Sequence, residues 1–324
     1  MSKLRVGLVS WSHVHAPALA RTLEALEQVD FVGSFDDDDD DSAPKGRTYP
    51  TLNALLHDCD AAVIASTNAL HRQYVLAAAA AGVHVLCEKP LATTLADANA
   101  MIDACRTASV QLGVALPVRS SPAVVSLKDA IASGRLGRIR AVRATNPGQY
   151  PGRWFGDPVQ AGGGAVMDHT VHVADVLRWL LDDEVVRVHA ELGAFLYGLP
   201  VEDCGVLTLD LAAGAFASID CSWSRPATYP TWGGVTLHVV GDQATVDVDV
   251  FRQTVTHYDD ATGKVRLVGW GDDLNALMIG DFVDAILAKR PVPIDGADGL
   301  RSLEVVIAAY RSAALGRPVT IAEL

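Results

Sequence analysis

The first third of the chain alternates short apolar runs with longer helix-like stretches, and this rhythm narrows the fold more than any other feature. Leu4–Val9, Phe31–Phe35, Ala61–Ala65, Val83–Cys87 and Val110–Ala115 read as strands. Between them, Ala16–Gln28, Thr51–His57, Leu70–Ala81 and a segment from Thr94 to about Ala108 read as helices. Gly82 suits a left-handed helix stop, and Thr94 with Asp97 forms a capping box. Strands that alternate with helices form a parallel sheet covered on both faces, and ligands bind at the carboxyl ends of its strands.

The pattern changes after about Pro117. A helix at Pro122–Ser133 and a run at Ile139–Thr145 precede a polar, glycine-rich stretch ending at Gly164, then a helix at Val166–Leu181. Strand-like runs follow at Arg187–Ala194, Asp203–Leu211, Ala215–Trp223, Val235–Val240 and Thr245–Val250, with turns at Gly214 and Gly241-Asp242. Helices at Leu274–Lys289 and Leu300–Leu315 finish the chain. The expected fold class is therefore α/β, with an N-terminal Rossmann-type doubly wound parallel sheet over residues 1–117. An α+β domain with a large, mostly antiparallel sheet is expected over 118–324.

The 324 residues suffice for two cores, and the net charge of −13 argues against nucleic acid, whose phosphates need a basic face. No apolar run suits a membrane span and the N-terminus lacks a signal-peptide pattern, so a cytoplasmic protein is expected. Cys59, Cys87, Cys105, Cys204 and Cys221 are scattered without a C-x-x-C pair, which fits reduced thiols and suggests no metal site.

Two segments carry reactive groups. Glu88, Lys89 and Pro90 end a strand, where a lysine points into the crevice and burial lowers its pKa toward acid–base work. Taken alone, the tripeptide also fits a turn with a surface lysine. In "AGGGAVMDHTVHVADVL", Asp168, His172 and Asp175 fall within an arc of about 60° on one helix face. An aspartate one turn from a histidine can hold its tautomer and raise its basicity. The spacing equally fits a solvated face with a helix-internal ion pair.

Together with "STNALH" (Ser66–His71), "SPAVVSLKDAIASGRLGRI" (Ser121–Ile139) and "DGLRSLEVVIAAYRSAALGRPV" (Asp298–Val319), these motifs resemble, in order and spacing, the glucose–fructose oxidoreductase / inositol dehydrogenase (Gfo/Idh/MocA) family. The resemblance covers nearly the whole chain. It implies an NAD-dependent dehydrogenase that oxidises a secondary hydroxyl of a sugar, polyol or sugar acid. Lys89, Asp168 and His172 would be catalytic, with Asp168 orienting and either Lys89 or His172 taking the hydroxyl proton. Ser66, Asn68, His71, Glu88 and Lys89 would border the cofactor, and Asp168, His172, Arg153 and Trp154 the substrate, with Tyr150 a weaker choice. Arg119 would be structural. The resemblance further implies a homodimer or homotetramer formed through the open face of the second sheet. Two other functions share these residues: an NAD-dependent glycosidase or lyase with a transient redox cycle, and a non-enzymatic cofactor-binding sensor.

The loop after the first strand departs from the dinucleotide fingerprint. Ser10, Ser12 and His15 stand where G-x-G-x-x-G has glycines that turn the chain, admit the pyrophosphate and let the helix pack. The serine hydroxyls can donate to a phosphate, His13 and His15 can touch phosphate or substrate, and the free N–H groups of the following helix are expected to remain available. As an H-x-H pair, His13 and His15 lack a third metal ligand nearby in sequence. Asp36, at the end of the second strand, would accept from the adenosine ribose and repel the 2′-phosphate of NADP. Asp37–Asp41 is expected to be a solvated acidic loop.

Overall fold

The computed structural model describes residues 3–36 and 46–324; the acidic run Asp37–Asp41 lies outside the described residues. The first unit runs β1 (Leu4–Val9), α1 (Ala16–Ala25), β2 (Val29–Phe35), α2 (Leu52–Asp58), β3 (Ala61–Ile64), α3 (His71–Ala80), β4 (His84–Cys87), α4 (Leu95–Thr107) and β5 (Leu112–Val114). Its sheet has the order β2-β1-β3-β4-β5 with every pair parallel. Chain order reverses direction between β1 and β3, the switch point where a crevice opens above the strand ends. Every residue of β3 is buried, as a central strand covered on both faces requires. Gly7 allows α2 to approach β1, since a Cβ there would lie 2.6 Å from Cys59 Sγ.

The second unit runs α5 (Pro122–Ala132), β6 (Ile139–Thr145), a single-turn α6 (Pro158–Ala161), α7 (Ala165–Leu181), β7 (Val185–Gly193), β8 (Cys204–Leu211), β9 (Phe216–Asp220), β10 (Thr236–Gly241), β11 (Thr245–Asp249), β12 (Thr254–Asp259), β13 (Lys264–Gly269), α8 (Leu274–Leu287), α9 (Gly296–Leu315) and β14 (Val319–Thr320). The main sheet has the order β11-β10-β6-β9-β8-β7-β14 and is antiparallel except at β6–β9. Alternate residues such as Val188, Leu207, Leu209, Ala217 and Ile219 face α7 and α9. The opposite face leaves Val206 54% and Phe216 57% exposed.

The structure departs from the sequence pattern in three places. β12 and β13 form a separate hairpin that the pattern misses, because Val255, Val265 and Leu267 stay exposed and no buried face imposes a period of two. Helix α9 begins at Gly296 rather than Leu300, because Asp295 and Asp298 make a capping box one turn earlier. Helix α8, far along the chain, returns to the first sheet. Its Met278, Ile279, Phe282 and Val283 join Leu19 and Leu23 of α1 over Leu4, Val6 and Leu8.

The start of α7 explains the three glycines before it. Gly162 has φ +77°, Gly163 faces the Tyr310 hydroxyl, and a Cβ on Gly164 would overlap the Glu202 carbonyl. Gly164 supplies no capping side chain; instead the Glu202 carboxylate accepts from the N–H groups of Gly164 (2.9 Å) and Val166 (3.0 Å). Tyr310 Oη donates to the same carboxylate at 2.8 Å. The expected consequence is that G164A lowers stability by about 2 kcal/mol or more through overpacking. In contrast G280A, where a methyl meets nothing within 4 Å, gains up to about 1 kcal/mol of helix propensity. Urea unfolding of both variants beside the parent checks this.

Candidate active site

The carboxyl end of β4 delivers Glu88 and Lys89, and the Lys89–Pro90 peptide is cis. Lys89 Nζ forms an ion pair with the Asp168 carboxylate, and both side chains are buried. Asp168 sits in the first turn of α7, so the pair spans the two units. The other Asp168 oxygen accepts from Trp223 Nε1 at 3.1 Å and lies 3.2 Å from His169 Nε2. Burial alone would raise the Asp168 carboxyl, but Lys89 and then His169 outweigh it and hold the group well below the usual carboxylate range.

This arrangement corrects the expectation that Asp168 orients His172. The Asp168 carboxylate is committed to Lys89, Trp223 and His169, while His172 Nδ1 is buried with no partner among the described residues. Asp175, third in the expected stripe, belongs to a different cluster. It pairs with Arg119 (Nε to Oδ2 2.7 Å), which also reaches Asp298, bracing the Pro117–Ser120 connection against α7 and α9. Arg119 thus occupies the structural position expected of it. His169 is the residue the sequence pattern overlooks; adjacency to Asp168 is its only signal.

A cleft of about 560 Å³ opens beside the ion pair, lined among others by His15, Lys89, Asn146, His169, His172 and Trp232. His172 is partly open to this cleft. Burial, followed by the charge on Lys89, pushes its pKa well below 6.5, so the ring is neutral at pH 7. Arg153 and Trp154 are not among the cleft residues. Arg153 is exposed on a short turn, and Trp154 is 7% exposed with its indole N–H donated to the Ser12 carbonyl at 2.8 Å. Trp154 thereby braces the β1 loop. Tyr150 packs on Trp223, with ring centroids 5.0 Å apart.

The β1 loop keeps a glycine-like bend without glycine, since Ser10 has φ +70°. Most of its N–H groups are already used. Ser10 N donates to Phe35 O, Trp11 N to Asp36, Ser12 N to Ser10 Oγ, His13 N to Ala65 O and His15 N to His13 Nδ1. Ala16 N and Ala18 N donate back to His13 O and His15 O, with Pro17 between them. This narrows the expectation that the start of α1 offers free donors to an anion: a compact turn of hydrogen bonds takes up the N–H groups flanking Val14. Asp36 Oδ1 accepts from both Ser10 Oγ and Trp11 N at 3.3 Å. Glu88 Oε1 lies 3.0 Å from His15 Nδ1 and 3.8 Å from His13 Nδ1. Behind Lys89, His71 Nδ1 donates to Pro90 O (2.9 Å) and Asn68 Nδ2 to Ala161 O (2.9 Å), while Ser66 Oγ donates to Thr67 O. His71 thus braces the Glu88–Pro90 turn from beneath.

Comparison with known proteins agrees with this geometry. Residues 6–116 match the oxidoreductase family with an NAD-binding Rossmann fold, and residues 124–247 match the GFO/IDH/MocA C-terminal domain. A 1,5-anhydro-D-fructose reductase of Ensifer adhaerens is 33% identical over 86% of this chain and 89% of its own. The chain belongs to the Gfo/Idh/MocA oxidoreductase family. Another family member, an inositol 2-dehydrogenase of Paracoccus denitrificans, is 38% identical over 84% of this chain and 81% of its own. Among solved structures, GenD2 from gentamicin A biosynthesis in complex with NAD superposes with a TM-score of 0.88 at 26% identity, covering 99% of this chain and 97% of that one.

Gfo/Idh/MocA membership makes the first unit an NAD-binding Rossmann domain and the protein an oxidoreductase of the sugar/polyol dehydrogenase type. The strand ends fit such a cofactor. Asp36 presents a carboxylate at the end of β2, and Asn68 Oδ1, His71 Nε2 and His172 Nδ1 are buried polar atoms with no partner among the described residues. The β1 loop departs from the dinucleotide fingerprint, with Ser10 Oγ donating to Ser12 Oγ at 3.1 Å where a glycine loop has no side chains. No helix among the described residues is long and apolar enough to cross a membrane.

Buried histidines tie stability to pH. Burial lowers the pKa of both His71 and His172 in the folded chain, whereas an unfolded histidine titrates near 6.5. Below about pH 6.5 the unfolded state binds protons that the folded state refuses, so stability present above that pH is lost on acidification. The urea midpoint is expected to fall between pH 8 and pH 5.5, and to fall less in H71Q/H172Q than in the parent.

Proposed function

We propose that this chain oxidises a secondary hydroxyl of a sugar, polyol or sugar acid, with His172 as the base, Lys89 as the cation facing the substrate oxygen and Asp168 as its counter-ion. The carrying observation is the difference between the two candidate bases. Lys89 is held in an ion pair by Asp168, while His172 is a neutral imidazole on the wall of the same cleft. NAD, when bound, supplies the hydride acceptor at C4 of its nicotinamide. His172 removes the hydroxyl proton as the carbonyl forms, and the Lys89 ammonium stabilises charge that develops on that oxygen. In the reverse direction the same groups hold the carbonyl and return the proton.

On this reading residues 1–117 carry the cofactor and 118–324 the substrate, with α8 lent back to the first sheet. Asp36 favours NAD over NADP, because a carboxylate facing the adenosine ribose repels a 2′-phosphate. Asn68, His71 and Glu88 border the nicotinamide side, with His71 acting through the Pro90 carbonyl. The exposed sheet face around Val206 and Phe216 supports assembly as a homodimer or homotetramer, and we read the protein as cytoplasmic.

A panel of inositols, aldoses and aldonic acids, followed by reduced-nicotinamide fluorescence, tests this reading. H172Q is expected to lower kcat at least about 100-fold while NADH affinity stays within about twofold. Retention of kcat in H172Q with an unchanged pH profile would remove His172 from the base role. D36N is expected to weaken NADH binding and to narrow its advantage over NADPH; equal affinity for the two cofactors in the parent would contradict the role given to Asp36.

A further inference from the structure

The cluster at the base of the rebuilt β1 loop has a donor set that neither the hydride chemistry nor the family fold requires. One donor atom each from His13, His15 and Glu88 lies within 4.8 Å of the others. The missing third ligand of the H-x-H pair is thus supplied through space, from the end of β4. We propose that these three side chains form a divalent-metal site best matched to Zn²⁺, with an open coordination position toward the cleft that takes an oxygen ligand.

Two imidazoles and a carboxylate, leaving one position free, are the donor set of a catalytic-type zinc site. Ligands of a tetrahedral zinc lie roughly 3.3 Å apart, and the His15–Glu88 and His13–Glu88 pairs stand at 3.0 and 3.8 Å. The site is also held in place. His13 N donates to Ala65 O at 2.9 Å and Glu88 N to Ile64 O at 3.0 Å, so both ligands hang from β3 or the residue after it. Glu88 Oε2 accepts from Lys89 N at 3.1 Å, fixing the carboxylate with Oε1 toward the histidines. His13 and Glu88 are buried and Phe155 closes over the His13 ring (centroids 5.4 Å), whereas the His15 side chain is 31% exposed and lines the cleft. An ion enters past His15, replaces the hydrogen between His15 Nδ1 and Glu88 Oε1, and takes the His13 Nδ1 lone pair in place of the His15 N–H.

The oxygen donor has two sources. One is the cofactor's diphosphate, for which the loop's N–H groups are mostly taken up already; the other is a hydroxyl of the polyol or sugar in the cleft. The metal site itself does not depend on the dehydrogenase reading.

The test uses the full chain, stripped with EDTA and titrated with Co²⁺ as a spectroscopic stand-in for zinc. One Co²⁺ per chain is expected at micromolar concentration, with visible d–d absorption that Zn²⁺ abolishes. H15A and E88Q are each expected to weaken binding at least tenfold, with folding verified by circular dichroism, while H257A, on the exposed hairpin, binds as the parent does. Stoichiometric binding absent below millimolar Co²⁺, or equal binding by H15A and the parent, overturns the site. NADH that shifts the Co²⁺ spectrum identifies a phosphate ligand, and myo-inositol that does so identifies a hydroxyl. A spectrum that neither perturbs overturns the open position. NADH fluorescence is followed separately, so cofactor binding without Co²⁺ binding sinks the metal site and leaves the dehydrogenase reading standing.

Discussion

The ion pair between Lys89 and Asp168 is the interaction on which the site depends. Neither charge is affordable alone at that depth: removing one partner of a buried pair typically costs about 3–5 kcal/mol, because the other is left uncompensated. The pair therefore fixes more than two side chains. It sets the distance between the end of β4 and the first turn of α7, and so the width of the cleft between the units. Trp223 and His169 complete the solvation of the carboxylate, which explains why an indole N–H from beyond β9 is spent there.

A second brace, Arg119 with Asp175 and Asp298, works about two turns further along the same helix. Together the two clusters hold α7 at both ends of its polar edge, one against the first unit and one against α9. The acidic residues that look alike on a helical wheel thus have different work: Asp168 serves the cleft and Asp175 the joint. Between them His172 pairs with neither carboxylate, and burial together with the nearby Lys89 charge keeps it a neutral imidazole.

Much of this was legible before any coordinates. Strand–helix alternation points to the parallel sheet because burial on both faces leaves a strong local signature; the strand-end rule points to Glu88 and Lys89, and the family resemblance to Ser66 and Asn68. The illegible parts share a cause: they depend on what arrives from far along the chain. Periodicity put Asp168, His172 and Asp175 on one stripe, but not the identity of their partners, since Lys89, Trp223 and Arg119 come from three other elements. The family resemblance points to Arg153 and Trp154 as substrate contacts, but not to the Ser12 carbonyl that takes the Trp154 indole N–H. The β1 loop was misjudged in the same way. Its residues announce lost glycines, but not that every backbone N–H from Ser10 to His13 is spent on neighbours.

The return of α8 to the first sheet bears on how this protein comes into being at the ribosome. Once about 117 residues have emerged, all five strands of the nucleotide-binding sheet exist, but the face carrying Leu4, Val6 and Leu8 has only α1 to shield it. Its remaining cover is encoded some 170 residues downstream, on the order of ten seconds later at ordinary elongation rates. For that interval the nascent chain carries an unfinished apolar surface, the kind chaperones recognise. The first domain to be made is therefore among the last to be completed, and the two units mature together rather than in sequence.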